Sequence, residues 1–500
     1  MPLFVTTLYL VAALVGASFA LAEFRLLLRF VRHRKEVREA VASRVPTSLT
    51  AGVGGGVDEG YEPPIVTVQL PLYNERLAAR DLILAAAAQE YPRDRFDIQV
   101  LDDSNDETTE VVREAVAEVR RRGVRIEHIR REVRTGYKAG ALAHGLERSD
   151  ADYVALFDAD FRPAPEFLHR VLVQEDAFRD PSVAFVQTRW SLAHSVRGIF
   201  HAALALLMDR HFYIQKPTRV FAGQVTTFNG SAGVWRRAAI EAAGGWSADT
   251  LTEDLDLSYR CALEGMRGVY LHDVTVPNEL PEHMRSFKIQ QRRWARGNAQ
   301  CFRKLTGRVL DSRNPLRDRW EEAFLLAGYG IHPVILANLL LWPWAVLYVD
   351  RTFFWIMQGI MSLATLVAPV SFLITLRERG EPSWMDALGQ AMAGLCLGMG
   401  LMVNNTVGQI QGFLSGEGAF VRTPKGWMTT GVGAAGTLHP YSSPLHWTFF
   451  AELLVIVYCL ITGAMLIVAG DALWSLPLFF WGGCLGLVVR LQMTPQTQPA

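Results

Sequence analysis

Twenty residues near the start of the chain, LFVTTLYLVAALVGASFALA at positions 3–22, carry no charge. A helix of that length and apolarity matches the hydrocarbon thickness of a bilayer, so the rest of the chain must be arranged around a membrane. No Lys or Arg precedes the run, whereas Arg25, Arg29, Arg32, Arg34, Lys35 and Arg38 follow it. A cleaved leader carries its positive charge first. Charge on the far flank marks instead a retained anchor over residues 1–30, with the chain beyond it in the cytosol. A basic segment and flexible linker, residues 31–64, end in the Gly- and Pro-rich AGVGGGVDEGYEPP.

From residue 65 to 305 the hydropathy is that of a soluble domain. IVTVQLP, DIQVLDD, RIEHIRR and YVALFDAD read as strands, and ARDLILAAAAQE and TTEVVREAVAEVRRR between them as helices. Alternation of this kind predicts an α/β domain with a largely parallel sheet, whose ligands sit beyond the carboxyl ends of strands. Residues 306–500 read as a C-terminal membrane domain with spans at about 323–349, 352–376, 448–469 and 472–490. The stretch 385–413 is apolar at first but then carries Asn404, Asn405, Gln409 and Gln411. Polar groups are costly at mid-bilayer depth, so it reads as interfacial or re-entrant, which leaves 414–445 as a cytosolic loop. Glu452, inside an apolar span, is a candidate lining residue for a polar channel.

Composition narrows the function. Lys+Arg and Asp+Glu balance at a formal net charge of +0, which argues against a nucleic-acid partner. The five cysteines are scattered without a C-x-x-C pair, so neither a disulfide framework nor a zinc site is expected.

Carboxylates recur at strand and helix ends. Asp102 and Asp103 close one strand, Asp158 and Asp160 follow another in FDADF, and Glu253 and Asp254 open LTEDLDLSYRCALEG. Any one pair is also what a helix cap looks like. Two carboxylates one residue apart after a buried strand can share a Mg²⁺ whose shell is completed by phosphate oxygens and water. Glu253 and Asp254 fall in a first helical turn, where the macrodipole favours an ionised base. Lys138, between Gly136 and Gly140, suits a diphosphate. Trp235, in FNGSAGVWRR, is either a platform for a sugar face or a core residue. QQRRWARG, residues 290–297, brings cations next to the apolar C-terminal half.

The order Asp102-Asp103, Asp158-x-Asp160, Thr252-Glu253-Asp254, Gln290-x-x-Arg293-Trp294 resembles the D, D-x-D, T-E-D, Q-x-x-R-W series of processive family-2 glycosyltransferases. These are the cellulose synthase-like enzymes with a GT-A fold. PLYNE, LDDSND, GYKAGAL, NGSAGVWR and TEDLDL add to the likeness, which is nearest to the cellulose synthase-like A and C group of mannan, glucomannan and xyloglucan-backbone synthases and their bacterial relatives. FVRTPKG at 420–426 looks like that family's F-x-V-T-x-K gating loop, with Arg422 in place of the usual Val.

The resemblance implies a GT-A domain between transmembrane segments. It implies an inverting transfer of a hexose from UDP-glucose or GDP-mannose to a growing β-linked glycan, with Mg²⁺ or Mn²⁺ as cofactor and export of the product. By the same resemblance Asp102 or Asp103 holds the nucleotide base, with Tyr73 and Glu75 nearby, and Lys138 approaches the uracil or the diphosphate. Asp158 and Asp160 bind the nucleotide and its metal, Asp160 more directly. Asp254 is the base, with Glu253 beside it, and Gln290, Arg293 and Trp294 lie where the acceptor meets the leaving diphosphate. A lipid glycosyltransferase adding one sugar to a ceramide or diacylglycerol shares these motifs and is the alternative. The Ala/Arg/Gly-rich usage points to a bacterial inner membrane; accessory subunits stay open.

Overall fold

A computed structural model of the chain describes residues 2–42, 62–192, 196, 198–312, 315–381, 383–414 and 444–494. FVRTPKG and most of the linker lie outside the described residues.

Seven strands form one sheet: β1 (Val66–Leu72), β2 (Phe96–Asp102), β3 (Ile126–Ile129), β4 (Tyr153–Leu156), β5 (Val183–Ser191), β6 (Gly233–Arg236) and β7 (Arg267–Pro277), in the order β3-β2-β1-β4-β6-β5-β7. The pairs β1–β2, β2–β3, β1–β4 and β5–β7 are parallel. β6 runs against both of its neighbours, where alternation alone predicted a mostly parallel sheet. The reason is the route of the chain. After β5 it makes a helical excursion over 198–221 and comes back to the edge it left, so β6 must enter from the carboxyl side of β4 and β5. Helices cover both faces, which is why Val66, Val68, Leu70, Ile98 and Val100 are all buried. The interior of this GT-A-like sheet still holds polar groups: Gln69 and Gln99 are buried and bond to each other at 2.9 Å.

Among the described residues five helices are long and apolar enough to cross a membrane: Leu3–Arg32, Gly328–Tyr348, Arg351–Arg379, Thr448–Val468 and Ala472–Gln492. The span drawn from 323 in the sequence starts later. Leu316–Leu326 is a separate helix whose buried Glu321 and Glu322 face protein rather than lipid. The stretch 385–413 is two helices, Trp384–Gly400 and Met402–Leu414, bent by 45° at Leu401.

Asn404 and Gln409 of Met402–Leu414 are turned into the protein, onto the long helix Met284–Leu310, here called the arginine helix. Asn404 Nδ2 donates to the Lys288 carbonyl at 3.0 Å and Gln409 Nε2 to the Ala295 carbonyl at 2.7 Å. Gly408 permits that contact: a side-chain carbon there would lie 2.7 Å from the Arg292 carbonyl oxygen. Gly412 sits as tightly against Arg296.

Glu452 does not line an open channel. It is fully buried and meets Lys288 Nζ at 2.6 Å, while Gln492 donates to its other oxygen at 2.9 Å. The anchor helix, Pro2–Arg32, is likewise tied to the remainder. Arg25 and Arg29 reach Glu321 at 2.7 and 3.1 Å, Glu23 pairs with Arg210, and Arg34 and Arg38, just beyond the helix, pair with Glu378.

Candidate active site

The carboxyl ends of β1, β2 and β4 and the entry to β6 share one edge of the sheet. Asp102 and Asp103, neighbours in sequence, have different partners there. Asp102 is buried and accepts from Ser104 N and His128 Nε2, both at 2.9 Å. Burial works against its charge, yet the hydrogen bonds from His128 and Ser104 outweigh it and hold the pKa below the usual value. Asp102 thus fastens β2 to β3. Asp103 pairs with Arg131, and Arg134 lies 3.8 Å away while stacking over the Tyr73 ring at 3.4 Å. Tyr73, Asp103 and Arg134 form a charged cluster beyond the carboxyl ends of β1 and β2. Glu75 belongs to the turn that follows β1, where its carbonyl accepts from Ala78 and Ala79.

Lys138 stands in the first turn of helix Tyr137–Glu147. Its ammonium bonds to Asp158 Oδ1 at 2.6 Å and to the Gly230 carbonyl at 2.8 Å, with Glu253 at 3.6 Å. Burial alone would lower the lysine's pKa, but the carboxylates Asp158 and Glu253 reverse that and raise it. Asp158 is itself pushed up, by burial first and by the charge of Asp160 and Glu253, against the pull of Lys138. The Ser231 hydroxyl accepts from the Asp158 backbone N–H at 2.9 Å and fixes the turn.

Glu253 and Asp254 open the helix Glu253–Leu263, the position read from TED. Thr252 holds the cap position without a side-chain capping bond; its hydroxyl lies 3.3 Å from Cys301 Sγ. The sequence suggested that the helix dipole keeps Asp254 ionised. Burial, and then the charge of Glu253, work the other way and bring its pKa up to about 7. Gly230, at φ +78°, forms the wall beside it: a side-chain carbon there would stand 3.3 Å from Asp254 Oδ2 and 3.5 Å from Lys138 Nζ. The left-handed backbone and the narrow gap both favour glycine.

Gln290, Arg293 and Trp294 share one face of the arginine helix, spaced by three and four residues. Arg293 is half-buried, and burial lowers its pKa; the charges that act to raise it are Glu253, Asp158, Asp254 and Asp160. All four carboxylates therefore bear on one guanidinium. Arg292 turns the other way, to Asn404 at 3.4 Å. The approach of the arginine helix depends on Gly297, where a side-chain carbon would fall 2.6 Å from the Thr252 side chain. In the sequence FNGSAG reads only as a loop whose glycines allow close approach by a ligand, and Gly297 carries no role of its own. Glycine one helical turn after Arg293 is the signal that could have singled out Gly297.

Trp235 is no sugar platform. It is fully buried, with Phe185 and Phe228 at ring distances of 4.6 and 5.1 Å. Among the described residues no group of three or more His, Cys, Asp or Glu side chains is arranged to hold a metal. The pair Asp158 and Asp160 still suits a divalent ion that travels with a diphosphate, because such an ion takes only one or two carboxylates from protein. The charges gather there: Asp158 and Glu253 lie against Lys138, and all four carboxylates act on Arg293.

Residues 63–297 match the model of the glycosyltransferase-like family 2. A probable glucomannan 4-β-mannosyltransferase of Arabidopsis thaliana is 35% identical over 317 residues, covering 63% of this chain and 70% of that protein. The chain belongs to the family-2 glycosyltransferases. A second Arabidopsis thaliana protein, glucomannan 4-β-mannosyltransferase 2, is 39% identical over 281 residues, 55% of this chain and 52% of that one. The chain thus spans about half the length of most of the curated relatives it matches. Among solved structures, a mannosyltransferase from Pyrobaculum calidifontis in complex with GDP-Man and Mn²⁺ aligns with a TM-score of 0.49 at 20% identity, over 77% of this chain and 97% of that one. The protein is a glycosyltransferase with a GT-A-like sheet, flanked at both ends by helices apolar enough to span a membrane.

Proposed function

We propose that this glycosyltransferase moves a hexose from a nucleotide sugar to the end of a β-linked glycan, with inversion at the anomeric carbon. One observation carries the proposal: Asp254, half-buried and with its pKa raised to about 7, shares a cluster with Lys138 and Arg293. In this reading Asp254 takes the proton of the acceptor hydroxyl as that oxygen attacks the sugar. Arg293 and Lys138 stabilise the negative charge that grows on the departing diphosphate. A single displacement inverts the centre, so no second carboxylate need form a covalent sugar intermediate. Asp158 and Asp160 would hold Mg²⁺ or Mn²⁺, which supplies further neutralisation of the diphosphate. Tyr73, Asp103 and Arg134 offer a stacking face and hydrogen-bonding groups to a nucleotide base, with Glu75 at its rim and Asp102 behind it. Gln290 and Trp294, beside Arg293 on the same helix, would meet the acceptor.

The names of the relatives favour mannose as the transferred sugar and a β-1,4-glycan as the product; UDP-glucose is the other donor to test. We place the catalytic domain on the cytosolic side, on the strength of the arginines after the anchor helix, and in a bacterial inner membrane from the Ala/Arg/Gly usage. The membrane helices then receive and export the product. The test is a donor screen with the purified full chain in lipid nanodiscs, scored by released GDP or UDP and by product size. The expected result is GDP release from GDP-mannose and a polymer cut by β-mannanase, with turnover stopped by EDTA and restored by Mg²⁺ or Mn²⁺. A product that extracts wholly into organic solvent as a single sugar on a lipid overturns the polymer reading.

A further inference from the structure

Outside the carboxylate cluster, a run of direct hydrogen bonds joins the anchor helix to the reaction edge. It starts at Glu23, whose two carboxylate oxygens accept from Gln215 Nε2 at 3.0 and 3.2 Å. Gln215 Oε1 lies 3.3 Å from His211 Nδ1. His211 Nε2 lies 3.2 Å from Asn229 Nδ2 and 3.3 Å from Asn229 Oδ1. The backbone of Asn229 is fixed separately, its N–H donating to Gln187 Oε1 at 2.7 Å. The Gln187 amide nitrogen is in turn held by the carbonyls of Thr188, Ser231 and Ala232, each at 3.0 Å. His211 and Gln215 bound a π-wound turn, His211–Gln215, a geometry that concentrates at functional positions.

The first member of the run decides its polarity. A carboxylate only accepts hydrogen bonds, so Gln215 gives its NH₂ to Glu23 and turns its oxygen to the histidine. An amide oxygen cannot donate, so His211 Nδ1 carries the ring hydrogen. Burial, with Lys216 and Arg219 nearby, pushes the His211 pKa down to about 3 and keeps the ring neutral. Its Nε2 is then a lone pair, which takes the Nδ2 hydrogen of Asn229. Among the described residues no donor then serves Asn229 Oδ1, on a half-buried residue. The next residue is Gly230, the wall beside Asp254 and Lys138.

An acceptor-only oxygen on the residue before the glycine that walls Asp254 is suited to a hydroxyl donor. We infer that Asn229 Oδ1 accepts a hydrogen bond from a hydroxyl of the acceptor sugar adjoining the one that Asp254 deprotonates, and that Glu23, Gln215 and His211 hold it in that orientation. The inference rests on Asp254 as the base. It makes Asn229 a specificity-determining residue, and makes the anchor helix part of acceptor recognition.

The experiment is a cycle between residue and substrate hydroxyl. Purified full chain in nanodiscs receives GDP-mannose with β-1,4-mannotetraose, or UDP-glucose with cellotetraose, and then the monodeoxy forms of the terminal acceptor sugar. The wild type should show an acceptor KM about tenfold higher for one deoxy form, the size expected for one hydrogen bond. Asn229→Ala should raise the KM of the parent acceptor by about tenfold, move the donor KM by less than twofold, and remove the penalty for that one deoxy form. Glu23→Gln leaves Asn229 in place but frees the amides to flip, so it should cut the same penalty about threefold even where Asn229→Ala does not fold. Both variants discriminating every deoxy form as the wild type does would overturn the inference. Loss of turnover with both donors in the wild type would instead count against the proposed function, so the two failures read differently.

Discussion

The sheet edge and the membrane helices both bury charge, and they do so in opposite ways. Behind the arginine helix, Lys288, Glu452 and Gln492 satisfy one another at 2.6 to 2.9 Å. In front of it, four carboxylates gather about Lys138 and Arg293, and Asp158 and Asp254 are both driven toward their neutral forms. The first arrangement satisfies its own charges. The second shifts the protonation of its members, the pattern that clusters at functional sites. A buried polar group is therefore informative by what its neighbours do to its charge, more than by being buried.

Four substitutions or titrations test that contrast. The largest effect is expected from Asp254→Asn, which should lower turnover by about 10²–10⁴-fold, the usual contribution of a general base, while nucleotide affinity measured by calorimetry stays within a fewfold. Full activity in that variant would remove the base from the site. Glu452→Ala should act on stability instead. It leaves Lys288 buried without its counter-charge, at about 3–5 kcal/mol, read as a lower denaturation midpoint in detergent. If it lowers turnover and leaves the midpoint alone, the two regions are not as different as described. Arg293→Lys keeps the charge but loses the planar fork, and should reduce kcat by about 10²-fold with little change in midpoint.

The smallest effect concerns pH. With its pKa near 7, Asp254 should make the rate climb about tenfold per pH unit below neutrality and level off above it. Stability should run the other way. An aspartate whose folded pKa lies above the unfolded value of about 3.9 binds its proton in the folded state first. Its contribution to stability is then lost as pH rises from about 4 to 7. Asp254→Asn should therefore raise the thermal midpoint more at pH 8 than at pH 5; an equal rise at both would contradict the shifted pKa.

Much of this was legible in the sequence because motif order survives in one dimension. FDADF, TED and QQRRWARG each place a charge at a defined end or face of an element, and the structure brings those ends together. What the sequence hid was direction and partner. β6 is four residues long and reads the same either way; only the return of the chain after β5 reverses it. Asp102 and Asp103 are adjacent, and nothing in the sequence tells that His128 occupies one and Arg131 the other. Trp235 sits in a loop-like motif, yet Phe185 and Phe228 close over it. Asn404 and Gln409 looked misplaced in an apolar helix because their acceptors, the Lys288 and Ala295 carbonyls, lie more than a hundred residues away in the chain.

The clasp between the N-terminal helix and the rest has a practical side. Arg25 and Arg29 on Glu321, and Arg34 and Arg38 on Glu378, are the counter-charges of acids that the later helices hold at their ends. Trimming the chain to begin at the sheet would take both arginines from Glu378, leave Glu321 with Arg317 and Gln224, and expose the apolar surfaces packed on the lost helix. The shortest piece of this enzyme that can be handled in solution is therefore set by its first forty residues, and a soluble catalytic fragment cut at the linker is a different molecule.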